Sequence, residues 1–186
     1  FGWEVDAYPV NEIAEYVSAV PQNEIDTLVE EYYSKYDIIL EGRDVPIIED
    51  DRIVEMAFGE YEGKCCSKTG WNLPEEFRRF FDGPERYVPA KGGEDFAAVR
   101  KRTGEFLQEL FQNKQYKDSN ILITTHGAAL AGMLNYIKEK PLSEYWGIGV
   151  HKNCAVTEVQ VTDGVPEILS ENVVYYDDEV EPWEER

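Results

Sequence analysis

Asn120-Ile121-Leu122-Ile123-Thr124-Thr125-His126-Gly127 is the stretch that decides how this chain folds. The continuous apolar and β-branched run predicts a strand buried on both faces of a parallel sheet. His126-Gly127 falls at its C-terminal edge. Leu130, Met133, Leu134 and Ile137 then recur at helical spacing, so the chain reads strand, glycine-containing turn, helix, the repeating unit of an α/β fold. Ligands of open α/β sheets sit at that edge. A helix start there also presents backbone N–H groups and the positive end of the helix dipole to an oxyanion or phosphate. His126 is therefore the first candidate for chemistry, although a histidine at a turn can equally be satisfied by a backbone carbonyl.

Working outward, Ala155 to Val161 and Val165 to Ser170 flank Asp163-Gly164, a hairpin signal that places an antiparallel pair at the sheet edge. Upstream, Phe96, Val99, Thr103, Phe106, Leu107, Leu110 and Phe111 mark a long amphipathic helix. Residues 58 to 93 are rich in Gly, Pro and aromatics and read as a structured, lid-like excursion with a helix near Pro74 to Phe81. Val45 to Val54 reads as a short strand leading into an irregular connection. Nearer the N-terminus, Ile13, Tyr16, Val17 and Val20 behind Asn11 predict one helix. Ile25, Leu28, Val29, Tyr32 and Tyr36 behind Asn23 predict a second. The acidic tail from Asp177 to Arg186 is expected to be loosely held.

The 186 residues, 42% hydrophobic and 13% aromatic, suffice for one packed domain. Against 38 acidic residues stand 18 basic ones, a formal charge of -20, which repels nucleic-acid backbones and anionic membranes. A phosphorylated substrate stays open, given a local cluster of Arg or N–H groups. Cys65, Cys66 and Cys154 are odd in number and lack zinc-type spacing, which fits a reduced, cytoplasmic setting. Lys64 beside Cys65 and Cys66 raises the alternative of an activated thiol. No run approaches the roughly 18 apolar residues of a membrane span, and Phe1-Gly2-Trp3-Glu4 does not open a signal peptide. The acidic runs at 49 to 51 and 177 to 181 match no metal-binding loop, so no metal site is expected.

Four blocks in order carry a family resemblance. Ile121 to Gly127 looks like a hydrophobic strand ending in Thr, His, Gly. Arg52-Ile53-Val54-Glu55-Met56-Ala57-Phe58-Gly59-Glu60-Tyr61-Glu62-Gly63 resembles a Leu-x-Glu, Phe-Gly, aromatic-Glu-Gly stretch. Gly92-Gly93-Glu94-Asp95-Phe96, with Val99 and Arg102, resembles a Gly-Glu-Ser opening of a long helix, Asp95 replacing Ser. Asn153-Cys154-Ala155-Val156-Thr157 resembles the segment before the terminal hairpin. Together they make residues 39 to 186 similar to the histidine phosphatase, or phosphoglycerate mutase-like, superfamily. The resemblance implies a three-layer α/β/α sandwich with a mostly parallel sheet and a C-terminal antiparallel hairpin, N-terminally atypical here. It also implies phosphomonoester hydrolysis or mutase chemistry on a small phosphorylated metabolite, with no cofactor. By the same resemblance His126 would hydrogen-bond the phosphate and Glu55 would be the acid and later base. Gly127 would meet the phosphate, and Arg78, Arg79 and Arg86 on the excursion could grip an anionic substrate, though aromatic and basic residues so spaced also serve rim packing.

The chain departs from that family in one respect with chemical weight. An Arg-His-Gly strand, which would supply the nucleophilic His, and a Ser-Ser-Pro segment with a second Arg are both absent. His151, the other histidine, stands in a Gly-Val-His-Lys context and reads as an exposed loop residue. A central strand lost from the sheet would leave N–H and C=O groups unpaired unless residues 1 to 10, or a second copy in a homodimer, filled the gap. Residues 1 to 38, an atypical helical segment, resemble a stretch of L-arabinose isomerases. Three classes of function follow: a phosphatase or mutase, expected to be impaired by the missing nucleophile in the isolated chain; a non-catalytic binder of phosphate or protein; and an inactive chimera with a sugar isomerase fragment.

Overall fold

Asp95 begins the longest helix among the described residues by accepting a hydrogen bond from Ala98 N–H at 2.7 Å, the N-cap role that Ser commonly fills. A computed structural model describes residues 45–66 and 70–175. This helix, α2, spans Phe96–Gln112 and follows the short helix α1, Arg79–Asp82; helix α3 spans Gly127–Ile137. Strands β1, Val156–Thr162, and β2, Val165–Val173, close the described chain as an antiparallel hairpin. Asp163 (φ 52°) and Gly164 (φ 82°) both have positive φ, as the tight turn between right-twisted strands requires.

The periodic apolar face of α2 is buried at Phe96, Val99, Thr103 and Leu107 and packs on α3. Two glycines permit the close approach. A Cβ on Gly104 would lie 2.5 Å from the Tyr136 ring, and one on Gly132 would lie 2.5 Å from the Tyr145 hydroxyl. Thr103, fully buried, turns its hydroxyl back to Val99 O at 2.9 Å, so its polar atom is satisfied within its own helix.

The excursion over residues 71–87 is core rather than cover. Pro74 precedes a 3-10 turn, Glu75–Arg78, that runs into α1, as the expected helix near Pro74 to Phe81 implies. Phe77 and Phe80 stack at 5.2 Å, and their cluster continues through Tyr87, Phe96, Tyr145 and Trp146. Trp146 Nε1 donates to Phe80 O at 2.7 Å, so the ring buries without an orphaned donor. Burial pushes the Tyr87 phenol up to about 12.

The α/β class and the terminal hairpin agree with the sequence. The parallel ladder does not assemble among the described residues, whose sheet has two strands, β1 and β2. Residues 120–125 form no strand there, and Ile121 and Leu122 are 45% and 72% exposed. The apolar run suits a two-faced buried strand, but a strand exists only where neighbouring backbone pairs with it. Thr125 Oγ1 fastens the end of the run by donating to Ile53 O at 2.6 Å. The strand expected over Val45 to Val54 is replaced by an irregular chain and a 3-10 turn, Asp51–Ile53, with Ile47 and Ile48 exposed. The helices expected behind Asn11 and Asn23, the 1 to 38 segment, the gap-filling role of residues 1 to 10 and the acidic tail lie outside the described residues.

Candidate phosphate site at the start of helix α3

The first N–H groups of a helix have no partner inside it, and in α3 two of them are taken by a carboxylate from far upstream. Glu55 Oε2 accepts from Ala128 N–H at 3.2 Å and Oε1 from Ala129 N–H at 3.1 Å, while Oε1 also accepts from Met56 N–H at 2.8 Å. His126, the extended N-cap residue (φ -116°, ψ 174°), makes no capping bond and leaves its side chain exposed. The helix start that the sequence assigns to an external oxyanion thus already holds the chain's own anion. The physics is the one expected, a negative group on the positive end of the dipole. The structure therefore joins Glu55 and the His126 turn, the two residues named from the sequence as acid and phosphate contact. Gly127, the first residue of α3, would bring a Cβ to 3.8 Å from Glu55 Oε2, and no acceptor for its N–H is seen among the described residues.

A brace positions Glu55. Arg102 on α2 donates to Arg52 O at 2.8 Å, Val54 O at 2.9 Å and Glu55 O at 3.1 Å, and pairs with both Glu94 oxygens at 2.9 Å. Glu94 Oε2 also accepts from Ala57 N–H at 3.0 Å, and Glu94 N–H returns a bond to Ala57 O at 2.8 Å. Burial alone would raise the Glu94 pKa, but the hydrogen bonds from Arg102 and Ala57 outweigh it and hold the carboxyl below its ordinary value. Gly59 (φ 57°) lets this loop cross residues 91–93, since a Cβ there would come within 2.3 Å of Lys91 O. Downstream, Tyr145 donates its hydroxyl to Ala128 O at 2.8 Å; burial and the nearby Glu55 charge raise its pKa. Glu94 and Arg102 were visible in the sequence as part of the helix-opening block. Their job of fixing the Glu55 segment was not, because it links residues 37 to 50 positions apart.

The excursion arginines are engaged locally. Arg78 pairs with Glu75 at 2.6 Å and lies over the Trp71 ring at 4.6 Å; Arg79 pairs with Asp82 at 3.3 Å, and Arg86 with Glu85 at 2.9 Å. No ion pair or hydrogen bond among the described residues joins them to Glu55 or His126. Lys64 Nζ stands 5.1 Å over the Tyr61 ring, and burial raises the Cys66 thiol, the opposite of activation.

His151 is not an exposed loop residue. Its side chain is 6% exposed, and Nε2 stands 3.5 Å from Glu171 Oε1, whose carboxylate binds Lys138 Nζ at 2.6 Å. Burial is the largest cause lowering the His151 pKa, with Glu171 opposing and Lys138 assisting. The unfolded chain therefore takes up a proton near pH 6.5 more readily than the folded one. Stability from this residue is complete above that value and is lost as pH falls through the lower folded value. Replacing His151 by Gln should flatten the fall in Tm between about pH 7.5 and 5.5, the window above carboxylate titration. Parallel melting curves for both proteins would show the residue is not the source.

An α/β chain with this histidine turn and docked glutamate is matched over residues 33–174 by the model of the histidine phosphatase superfamily (branch 1). The chain belongs to that superfamily. Phosphoserine phosphatase 1 of Hydrogenobacter thermophilus is 29% identical over 111 residues, covering 60% of this chain and 51% of that protein. The solved structure of YhfR from Bacillus stearothermophilus superposes with a TM-score of 0.67 at 29% identity, over 76% of this chain and 69% of that one. The chain spans about half the length of the curated phosphatases it matches. Residues 1–60 separately match the model of the L-arabinose isomerase central domain. In that region the chain is 35% identical over 60 residues to the L-arabinose isomerase of Thermotoga petrophila, covering 32% of this chain and 12% of the isomerase. The two matches overlap over residues 33–60. Among the described residues no helix is long and apolar enough to cross a membrane.

Proposed function

We propose that this chain carries the phosphate-contact and acid half of a phosphomonoester site, acting on a small phosphorylated metabolite without a metal, and that its hydrolysis is impaired in isolation. The observation that carries the reading is the Glu55 carboxylate seated on the Ala128 and Ala129 N–H groups, immediately after His126. With those two donors committed, an incoming phosphate oxygen would meet the His126 imidazole and Gly127 N–H. Glu55, an anion in the resting site, would act as the acid only after taking up a proton, which would pass to the departing alcohol oxygen as an acceptor takes the phosphoryl group. The phosphoryl acceptor is the missing part. His151 turns its Nε2 to Glu171, the carboxylate that also binds Lys138 just beyond the end of α3. The phosphatases among the relatives support the substrate class.

Phenyl phosphate titrated in metal-free buffer should shift the His126 ring resonances saturably, and His126→Ala should weaken binding at least about tenfold. Glu55→Gln should bind as tightly or more tightly, because it removes a negative charge facing the phosphate. Hydrolysis of p-nitrophenyl phosphate by the parent should stay near background. Unmoved His126 resonances at about 10 mM ligand, or rapid turnover unaffected by Glu55→Gln, would sink the proposal.

A further inference from the structure

Five of the six arginines among the described residues face a carboxylate at 2.6 to 3.3 Å: Arg52, Arg78, Arg79, Arg86 and Arg102. Arg100 has no such partner among the described residues, and its Nε is buried without a hydrogen bond. In a chain with a formal charge of -20, a guanidinium left without a carboxylate is unexpected, and a buried donor left unmade is costly. Arg100 stands on the wall of a groove of about 600 Å³, within the size range of small-molecule sites. The groove lies between α2, the end of α3 and the β1–β2 turn, and its apolar wall includes Phe111, Tyr136, Val165 and Pro166. Tyr136 is ten residues beyond His126, so along α3 the groove is about 15 Å from the proposed phosphate contact.

We infer that this groove is a second binding site, for a small organic monocarboxylate whose apolar body lies on Phe111, Tyr136, Val165 and Pro166 and whose carboxylate is held by Arg100. The planar donor fork of the guanidinium matches a planar carboxylate, which would accept from it as side-chain carboxylates do from the other five arginines. Glu139, also on the wall, disfavours a second negative charge, which selects a monoanion over a phosphate dianion. Val165, 68% exposed, offers an open apolar surface at the turn.

The test is an NMR titration of the whole chain with 3-phenylpropionate, following the Arg100 Nε–H signal and the Gly164 and Val165 amides. Saturable shifts at all three are expected, at least about tenfold weaker for 3-phenylpropanamide and for Arg100→Gln. Val165→Glu, which leaves Arg100 in place but crowds and charges the groove, should lose binding to a similar extent; circular dichroism confirms that both variants are folded. Shifts absent at about 10 mM, equal binding of the neutral amide, or indifference to Arg100→Gln would overturn the site. Tighter binding of phenyl phosphate at these same resonances would overturn the monocarboxylate assignment. The His126 signals report the other site and keep the two results separate.

Discussion

Arg102→Ala should lower the unfolding free energy by about 3 kcal/mol, and it should also loosen Glu55 from helix α3. The side chain is 17% exposed and its partner Glu94 26%, so the pair is neither a surface bridge of little worth nor a fully buried one. Removing the guanidinium strips three backbone carbonyls, those of residues 52, 54 and 55, of their donor and leaves the half-buried Glu94 with the Ala57 N–H and no cation. Each carbonyl lies on the segment that carries the Glu55 carboxylate to the Ala128 and Ala129 N–H groups. The damage should therefore extend beyond stability, with faster amide exchange at Met56, Ala57, Ala128 and Ala129. Arg102→Lys should rescue little, because an ammonium cannot serve three carbonyls and a bidentate carboxylate at once. Urea unfolding decides the first point: a loss under about 1 kcal/mol would mean that the loop is held by other contacts.

What the sequence disclosed and what it withheld divide along the range of the interaction. The α2 and α3 helices and the Asp163-Gly164 turn depend on residues within a few positions of one another, and each was legible in advance. The run 120–125 has the composition of a buried strand, but no local pattern can provide the backbone that must lie beside it. The seat of Glu55 on α3 spans 73 and 74 positions, so only the family resemblance pointed to Glu55. His151 looked exposed because its Gly-Val-His-Lys context is neither a strand end nor a helical repeat; its burial comes from packing near Lys138 and Glu171. Arg100 gave no signal in sequence, since an arginine on an amphipathic helix is ordinary until its partners are counted in space.

Phe80→Ala should be among the most destabilising single changes in the domain, at about 3 to 5 kcal/mol, while Arg79→Ala next to it should change stability by about 0.5 kcal/mol or less. The contrast tests whether residues 71–87 are a lid or part of the core. Phe80 is 6% exposed and has the rings of Phe58, Phe77, Phe81, Tyr87, Phe96 and Trp146 within 5.5 Å, centroid to centroid. Removing it opens a cavity at the meeting point of the excursion, the start of α2 and the 145–146 segment. These rings belong to elements that hold one another through this side chain, so little relaxation is available to close the void. Trp146 would keep its bond to the backbone of residue 80 but lose the ring it packs against. Arg79, by contrast, pairs with Asp82 at 3.3 Å across an exposed turn, where ion pairs contribute little. A lid would behave in the opposite way: its aromatic could be truncated with a small loss of stability, and its arginine would matter to ligand binding. Chemical denaturation of both variants, with phenyl phosphate titrations on each, separates the cases. A loss below about 1 kcal/mol for Phe80→Ala, together with weakened phosphate binding in Arg79→Ala, would restore the excursion as a cover over the site.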